Sequence, residues 1–508
     1  MKQMTHVLIL DVGTMSLRAT VYNGRGKPLY TSAYEYSATF RPPGLVEQDP
    51  SDWRIGLLST LSAVGAYLQS HSVNLVCMAV TSQRASVIPL DSFGYPLHPA
   101  VTWQDKRSAS QAQQLIDELG FHTLYSITGL RANPYFSLPK MMWFKQAEPE
   151  IYARTYKFLG VQDYVVYLLT GKIVTDWTQA ARTMLLDIRT FTWDAAIFEA
   201  SGIREDQLPE LIPPGGFVEG GVRHSIATAV GLPEGLPVVV AGGDQQCAAL
   251  ALNVLAPGHA EANTGTGSFC IAHAEHPSFH PDATVLCSAS AVPGQWINEA
   301  GIFNTGAIYR WLRDLHGGAP SLTYQGLNAA AEEAPVGSNG VVLLPHFEGS
   351  AAPHWNDLAK GVFFNLSIGT TLGDVARAVL EGIALEITDN IGIIEAMTGP
   401  IAELSVAGGM ARSDLFNQIQ ADSADRRVVR YPNSEATSLG ALISSLVTLG
   451  VEPNHATAFS HVVTGEPKAF SPIDGNVEVY KQVQKRRDSL YDALAGGQVY
   501  EGFQSALV

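Results

Sequence analysis

Three apolar segments of the chain end in glycine-rich turns of a kind that binds phosphate. The turns are Gly13-Thr14, Gly265-Thr266-Gly267 and Gly408-Gly409. Glycine allows close approach and unusual torsions, so each turn can present backbone amides to an anion. The threonines of the first two turns add hydroxyl donors. One such turn is a weak signal, whereas two turns from opposite halves of the chain that converge on one cleft would form a phosphate clamp.

A carboxylate stands beside the first of these turns. The apolar run VLIL leads directly into Asp11, although removing a carboxylate from water at the end of a buried strand is costly. At such a strand end, Asp11 could hold a metal ion and phosphates. Alternatively, Asp11 caps the turn by accepting hydrogen bonds from nearby amides. This stretch alone supports both roles equally.

Polar residues also follow two other strand-like segments. VNLVCMAVTSQR ends in Gln83 and Arg84, and LPVVVAGGDQQ leads into Asp244 and Gln245. Open α/β sheets bind ligands at such strand ends. Between the strands, the spacing of apolar residues predicts helices, among them helices over residues 52–69, 372–397, 434–450 and 479–494. The alternation of strands and helices predicts an α/β fold.

The start of the chain is weakly repeated near its middle. DVGTMSLRATVY, from Asp11, and NTGTGSFCIAHA, from Asn263, each place a Gly-Thr turn before a β-type run, about 250 residues apart. A short repeat can arise by chance, but this spacing predicts two related domains, each opening with a hairpin that faces a shared cleft. We place the boundary near residues 253–257, which gives an N-terminal domain over 1–253 and a C-terminal domain over 254–508.

Composition excludes several classes of protein. The 508 residues suffice for about two to four domains, and 46% hydrophobic with 16% charged residues is typical of a soluble globular protein. A net charge of −16 argues against a nucleic-acid partner. The absence of a secretory signal and of any run near the roughly 18 apolar residues of a membrane span predicts a cytoplasmic protein. In a reducing cytoplasm, its cysteines are expected to be buried free thiols: Cys77, Cys247, Cys270 and Cys287.

Several longer segments resemble the FGGY carbohydrate kinases of the actin-like ATPase superfamily. The segments most similar to the glycerol kinases of this family are TSQRAS (81–86), AVTWQDKR (100–107), ITGLRANPYFSLPKMMW (127–143), ARTMLLDIRTFTWD (181–194), AGGDQQCAAL (241–250), EANTGTGSF (261–269) and AGGMARSDLFNQIQAD (407–422). The resemblance, which covers essentially the whole chain, implies a two-domain α/β actin-like ATPase fold with a duplicated ribonuclease H-like core and a central cleft. It also implies ATP and Mg²⁺ as cofactors, a small sugar or polyol as substrate, and a homodimer as one expected assembly.

The resemblance further implies roles for individual residues. Asp244 matches the general base, which accepts a proton as a primary hydroxyl attacks the γ-phosphate; a helix-capping role is the alternative. Asp11 matches the residue near Mg²⁺. The positions that match the nucleotide site are Gly13, Thr14, Gly265, Thr266, Gly267, Gly408, Gly409 and Ser413. Those that match the acceptor site are Gln83, Arg84, Trp103, Tyr135, Asp244, Gln245 and Phe269.

The chain departs from the family pattern at a few positions. Ala85 replaces the glutamate that binds glycerol hydroxyls in glycerol kinases, which removes charge-assisted hydrogen bonds worth about 1.5–3 kcal/mol each and opens space beside Arg84. Ser413 stands where glycerol kinases often carry Asn. Asn365 and Ala147 also depart from family signatures, at positions expected to lie away from the transferred phosphate.

These departures leave the substrate open. Xylulose kinases of the family usually carry Met-His-Gly where this chain has Arg84-Ala85-Ser86, so neither close template fits. On size, the favoured acceptor is a pentulose such as D-xylulose, and glycerol or another polyol is the alternative. Proteins of a different class with this fold would be a non-catalytic sensor that binds sugar and ATP, or an ATP-dependent clamp or filament subunit.

Three other charged residues also have ordinary interpretations. Asp105 and Arg107 could pair near the acceptor pocket, but an ion pair at the protein surface is the expectation. Arg18 follows the first turn, where it either approaches a phosphate or serves as an exposed or structural arginine on the hairpin.

Overall fold

The computed structural model of the 508-residue chain describes residues 5–315, 322–432 and 435–505. These ranges contain two large β-sheets flanked by helices, which confirms the predicted α/β class. Within them, no helix combines the length and apolar character that crossing a membrane requires. All four cysteines are buried and free, as predicted.

The strands, in chain order, are β1 (His6–Val12), β2 (Ser16–Asn23), β3 (Pro28–Glu35), β4 (Thr39–Arg41), β5 (Leu45–Gln48), β6 (Cys77–Ser82), β7 (Ile88–Leu90), β8 (Ala100–Val101), β9 (Lys157–Leu159), β10 (Val174–Asp176), β11 (Leu186–Asp187), β12 (Thr192–Trp193), β13 (Glu210–Ile212), β14 (Phe217–Val218), β15 (Val238–Gly243), β16 (His259–Thr264), β17 (Ser268–Ala274), β18 (Leu286–Ala289), β19 (Trp296–Ile302), β20 (Val342–Leu344), β21 (Val362–Phe364), β22 (Glu403–Ala407), β23 (Arg427–Arg430) and β24 (Lys468–Phe470).

The α-helices are α1 (Pro50–His71), α2 (Ala109–Leu119), α3 (Phe121–Thr128), α4 (Ser137–Ala147), α5 (Pro149–Arg154), α6 (Val161–Thr170), α7 (Trp177–Ala180), α8 (Ala195–Ser201), α9 (His224–Val230), α10 (Asp244–Ala251), α11 (Gly306–Leu315), α12 (Tyr324–Glu333), α13 (Leu372–Thr398), α14 (Asp414–Ala424), α15 (Ala436–Thr448), α16 (His455–Val462), α17 (Asp474–Gly496) and α18 (Val499–Ser505). Short 3₁₀ turns cover Glu205–Gln207, Ser338–Gly340 and Met410–Arg412.

The N-terminal sheet has the strand order β14-β15-β6-β1-β2-β3. Strands β15, β6 and β1 run parallel, and β2 and β3 continue the sheet antiparallel. In β1, residues 7–12 are all buried, because apolar clusters cover both faces of the strand. The carboxyl ends of β6, β1 and β15 therefore lie along one edge, where Arg84, Asp11 and Asp244 are found.

The C-terminal sheet has the strand order β18-β19-β17-β16-β22-β23-β24. Strands β16, β22 and β23 run parallel, whereas β17 and β19 are antiparallel to their neighbours. The long helix α13 packs its apolar stripe against this sheet through residues such as Val379, Ile383 and Ile387. The two glycine-rich turns of this half lie at the ends of β16 and β22.

The four long helices predicted from apolar spacing are confirmed, and the structure extends or trims their ends. Helix α1 begins at Pro50, two residues before the predicted start, because the Asp49 side chain caps it by accepting from the Ser51 amide at 2.8 Å. Helix α13 begins with Thr371 and Asp374 capping each other's backbone amides. Helix α17 begins at Asp474, five residues before the predicted segment.

One apolar cluster joins sequence-distant parts of the chain. Helices α15 and α16 come late in the sequence, yet Leu439, Leu442 and Ile443 of α15 pack against Val7 and Ile9 of β1 in the N-terminal sheet. Every strand of the N-terminal sheet comes from residues 6–243, and every strand of the C-terminal sheet from residues 259–470. The domain boundary at residue 253 stays a prediction, because the helices do not follow the division of the strands.

Candidate active site

The first two glycine-rich turns close equivalent hairpins. Residues 13–15 join β1 to β2, and the Gly13 amide donates to the Ser16 carbonyl over 2.9 Å. Residues 265–267 join β16 to β17, and the Gly265 amide donates to the Gly267 carbonyl over 2.8 Å. The two predicted hairpins are thus confirmed, and each turn closes with a short amide-to-carbonyl bond.

The third glycine-rich turn lies against the second. A Cβ at Gly408, where φ is +86°, would stand 2.4 Å from the Thr264 carbonyl oxygen, so this close approach requires glycine. At Gly409 a Cβ would meet no heavy atom within 4 Å, which leaves open space beside the turn. The Ser413 hydroxyl accepts from the Phe416 amide at 3.3 Å and so caps α14. A nucleotide role for Ser413 stays a prediction.

Several contacts between the two halves lie near the turns. The Asn263 side chain donates to Gln245 Oε1 at 3.4 Å, and the Thr437 hydroxyl donates to the Asp244 carbonyl at 3.3 Å. Arg18 pairs with Glu435, at the start of α15, over 2.5 Å. This arginine therefore has a structural partner from the C-terminal part of the chain, which supports the structural interpretation of Arg18.

Asp11 and Asp244 lie close enough for the charge of one to affect the other. Burial raises the pKa of Asp11 to about 7, and the Asp244 carboxylate adds to this rise against the opposing effect of Arg18. Burial also raises the pKa of Asp244, while Arg84 opposes it. Both carboxyl groups are thus less acidic than usual before any cation is bound.

This pair of carboxyl groups is compatible with Mg²⁺. Among the described residues, no group of three or more His, Cys, Asp or Glu side chains forms a ready-made metal cage. Mg²⁺ commonly keeps several waters and is held by one or two carboxylates together with substrate phosphates. Asp11, buried beside the first phosphate turn, fits that mode of binding, directly or through water.

The predicted acceptor residues converge around Arg84. Its Nε lies 3.4 Å from Asp244 Oδ1, and its guanidinium lies 5.8 Å from the ring centroid of Phe269. The rings of Trp103 and Tyr135 form an adjacent aromatic pair, with centroids 5.5 Å apart. A Cβ at Gly243 would stand 2.7 Å from Arg84 Cδ, so the arginine can lie against the strand end only because this residue is glycine.

Two of the predicted acceptor residues, Trp103 and Gln83, also contact the first glycine-rich turn. Trp103 Nε1 donates to the Thr14 hydroxyl at 3.3 Å, and that hydroxyl donates to Gln83 Oε1 at 3.4 Å. Gln48, a residue that the sequence analysis did not single out, donates to the Thr14 carbonyl at 2.6 Å and accepts from Gln83 at 2.9 Å. A shift of the turn at residues 13–15 would therefore displace Trp103 as well.

A buried lysine holds the Tyr135 loop in place. Lys140 Nζ donates to the carbonyls of Pro134, Tyr135 and Phe136, at 2.7, 2.5 and 2.9 Å. These three bonds use all the donors of an ammonium group. Burial lowers the pKa of Lys140 to about 7. Lys140 lies within a recognised family segment, but the sequence could not show that its contacts are all to backbone.

The predicted ion pair between Asp105 and Arg107 is confirmed, but its predicted place at the surface is wrong. Asp105 is buried, and its carboxylate accepts from the Val46 amide at 2.6 Å and from Arg107 Nη2 at 2.8 Å. Arg107 also pairs with Glu47 at 2.7 Å and lies over the Trp143 ring. The pair can be buried because the Val46 amide, the Glu47 carboxylate and the Trp143 ring all contact it, so its polar groups have partners away from water.

Ala85 borders a small internal cavity. The residue has a left-handed backbone, with φ +64°, and is 5% exposed. The cavity beside it has a volume of about 20 Å³, and its lining includes Ser86, Asp163 and Gln179. A space of this size holds about one water molecule. Neither Arg84 nor any of the predicted acceptor residues lines this cavity, so the opening beside Arg84 stays a prediction.

The main partner of Arg84 is a residue that the sequence analysis missed. Glu299, on β19, accepts from Arg84 Nη1 at 2.9 Å and from Arg182 Nη2 at 3.0 Å. It lies in the segment WINEAGI, which carries no recognisable motif. Its place opposite Arg84 depends on two sheets meeting, which no local pattern in the sequence reveals.

Comparisons with known proteins agree with this geometry. Models of the FGGY family of carbohydrate kinases match the chain, with the N-terminal domain over residues 6–251 and the C-terminal domain over residues 260–449. A protein named glycerol kinase from Alkalilimnicola ehrlichii is 33% identical over 499 residues, which cover 94% of this chain and 96% of that protein.

Solved structures share the whole fold. The gluconate kinase of Lactobacillus acidophilus superposes with a TM-score of 0.91, at 23% identity, over 99% of this chain and all of that one. The xylulose kinase of Rhodospirillum rubrum has a TM-score of 0.89, at 25% identity, over 97% of this chain and 99% of that one. The chain therefore belongs to the FGGY family of carbohydrate kinases, with their actin-like fold, and it is a phosphotransferase that uses ATP and Mg²⁺ on a sugar or polyol.

Proposed function

We propose that the protein transfers the γ-phosphate of ATP to a primary hydroxyl of a small polyol of the glycerol class. The observation that carries this proposal is the 3.4 Å approach of Arg84 to Asp244 between aromatic side chains. A carboxylate and a cation beside aromatic walls suit a compact acceptor with several hydroxyls. The relatives named glycerol kinase favour this acceptor class over the pentulose that the sequence analysis preferred.

In the proposed reaction, Asp244 acts as the general base. Its carboxylate accepts the proton of the acceptor hydroxyl as the oxygen bonds to the γ-phosphorus, while the bond from phosphorus to the bridging oxygen breaks and ADP leaves. Burial raises the pKa of Asp244, which strengthens it as a base, and Arg84 opposes that rise. The amides of the turns at residues 13–15 and 265–267 would hold the phosphates, and Asp11 would hold Mg²⁺, whose charge offsets that of the phosphates.

A pentulose such as xylulose is the second candidate. Ala85 lacks the carboxylate that binds glycerol hydroxyls in glycerol kinases, and its absence favours an acceptor other than glycerol. The 25% identical structure from Rhodospirillum rubrum is named as a xylulose kinase. Cytoplasmic location and a homodimer stay predictions from the sequence.

Acceptor-dependent ADP release tests the proposal. The purified protein is assayed with MgATP and with glycerol, longer polyols, xylulose or ribulose, one at a time. We expect release to depend on the acceptor and to be most efficient with a polyol. Highest kcat/KM with xylulose would select the second candidate. Acceptor-independent release, or none with any compound, would contradict the proposed function.

The A85E substitution tests the specificity step. We expect kcat/KM for glycerol to rise about ten- to hundredfold, because one charge-assisted hydrogen bond contributes about 1.5–3 kcal/mol. A85Q is the matched control, since it fills the same space without the charge and should gain less. If neither variant changes the ratio of glycerol to longer acceptors while both melt like wild type, residue 85 does not border the acceptor.

A further inference from the structure

Glu299 presents a buried carboxylate from the C-terminal sheet to the acceptor pocket of the N-terminal half. We propose that Glu299 is a positioning residue that holds Arg84 in its acceptor-binding orientation, so that the pocket is complete only when the C-terminal sheet has closed on it. This inference rests on the proposed function, because it concerns the acceptor which that function requires. Nothing in the family resemblance assigned a role to this residue.

The contacts of Glu299 reach both sides of the pocket. Its Oε2 accepts from Arg84 Nη1 at 2.9 Å, while its Oε1 accepts from Arg84 Nη2 at 3.3 Å and from Arg182 Nη2 at 3.0 Å. Arg182 in turn lies over the rings of Tyr135 and Phe136, at 5.7 and 5.2 Å from their centroids. One carboxylate therefore fixes the arginine of the pocket and the arginine that supports its aromatic wall.

The negative charge of Glu299 balances the charges of two buried arginines, Arg84 and Arg182. Glu299 is 1% exposed, and burial alone would raise its pKa, but Arg182 and Arg84 lower the pKa to about 2. Without this carboxylate, two buried guanidinium groups would face each other, and Asp244 would be the remaining anion in contact with Arg84. Arg84 would then move toward Asp244 and neutralise the base instead of binding acceptor hydroxyls.

The strand that carries Glu299 is tied to the second phosphate turn. Strand β19 pairs with β17, which begins directly after that turn and also delivers Phe269 to Arg84. A Cβ at Gly267 would stand 2.6 Å from the Ile302 carbonyl oxygen, so the turn and the end of β19 lie in tight contact. The turn that would bind phosphates and the Glu299 carboxylate that orients Arg84 therefore belong to one sheet. We expect them to move together.

The test compares E299Q with E261Q. Glu261 lies on β16 of the same sheet, is fully buried and has no hydrogen-bond partner for either oxygen among the described residues. Burial raises the pKa of Glu261 well above the usual range, with a further rise from the Glu299 charge, and glutamine has nearly the same shape as glutamate. E261Q therefore controls for the loss of a buried glutamate from this sheet.

Steady-state kinetics with the best acceptor give the first readout. We expect E299Q to raise the acceptor KM about ten- to hundredfold, as for a lost charge-assisted bond, while the KM for ATP changes little. More ADP should be released per phosphorylated product, because the pocket no longer closes on the acceptor. E299D, which keeps the charge on a shorter side chain, should recover part of the acceptor KM, and E261Q should behave like wild type.

An unchanged acceptor KM in E299Q would overturn the inference, and so would equal changes in both KM values or the same shift in E261Q. Small-angle scattering with a non-hydrolysable ATP analogue and Mg²⁺ gives a second readout that needs no acceptor. Wild type should become more compact on binding, and E299Q should become less so. Equal compaction of the two would also overturn the inference. If the wild-type protein showed no acceptor-dependent activity, only the proposed function would be contradicted. The scattering result would still decide the role of Glu299.

Discussion

The two sheets are built on one plan but carry different chemistry. In the N-terminal sheet, the order β15-β6-β1-β2-β3 joins three parallel strands to two antiparallel ones, and β23-β22-β16-β17-β19 repeats this order and sense in the C-terminal sheet. The weak repeat in the sequence is therefore one visible part of a repeat that extends over five strands.

Equivalent positions in the two sheets hold different residues. Asp11 before the first turn corresponds to Asn263 before the second, and Ser82-Gln83 at the end of β6 corresponds to the Gly408-Gly409 turn after β22. Asp244 begins α10 after β15, where Glu435 precedes α15 after β23. At these positions the N-terminal half supplies two carboxyl groups of the candidate site, whereas the C-terminal half supplies an amide side chain, a glycine turn and the ion-paired Glu435. We interpret this as a division between the acceptor and the nucleotide.

The largest expected effect separates Asp244 from its counterpart Glu435. D244N should lower kcat by about 10²–10⁴-fold while ATP still binds, because a general base contributes about that much. E435Q should change kcat less than about fivefold, since its ion pair with the half-exposed Arg18 contributes about 0–1 kcal/mol. Calorimetric titration with ATP and a phosphorylation assay check both variants. Near-normal turnover by D244N would show that the base lies elsewhere.

A smaller effect is expected from exchanging the residues before the two hairpin turns. D11N should raise the Mg²⁺ concentration for half-maximal activity by about 10–100-fold, as for groups that act on a metal directly or through water. N263D should change it less, because Asn263 faces Gln245 rather than the carboxyl pair. Activity measured across a Mg²⁺ series at saturating ATP checks this. Equal responses of the two variants would mean that the halves share the metal.

The smallest expected effect concerns the contact between α10 and α15, the helices that follow the equivalent strands. A Cβ at Gly440 would stand 1.7 Å from the Cys247 carbonyl oxygen, so G440A should lower the free energy of unfolding by about 1–3 kcal/mol. G392A is the matched control, since a Cβ on that exposed helical glycine meets nothing within 4 Å and should add about 0.5–1 kcal/mol. Chemical denaturation of both variants measures this. If G440A left the free energy of unfolding unchanged, the two helices could move apart at little cost in free energy.

Local patterns predicted much of this structure. The apolar spacing of α1 and α13 is long and regular, and the glycine-threonine turns mark the two hairpins, so these elements could be read from the sequence. The residues proposed for the acceptor site came from the family resemblance and not from physical reasoning alone. Their convergence around Arg84 agrees with that assignment but leaves it to experiment.

Contacts between distant parts of the chain could not be predicted. Glu299 lies 215 residues from Arg84 in sequence, and nothing in its own segment indicates a buried guanidinium partner. Asp105 was expected at the surface because an Asp and an Arg two residues apart form an ordinary exposed pair. Its burial depends on the Val46 amide, 59 residues earlier in the chain. In both cases the decisive partner belongs to another element.

The packing of α15 on β1 has a consequence for cutting the chain. A fragment that ended at residue 253 would keep every strand of its own sheet, yet Val7 and Ile9 would lose their cover and an apolar face would meet water. The two halves are thus interlocked, because helices α15 and α16 from the later part of the chain cover one face of the N-terminal sheet. Splitting this enzyme at its apparent midpoint would give two aggregation-prone pieces, whereas an exchange of modules between relatives would have to carry α15 and α16 with the first half.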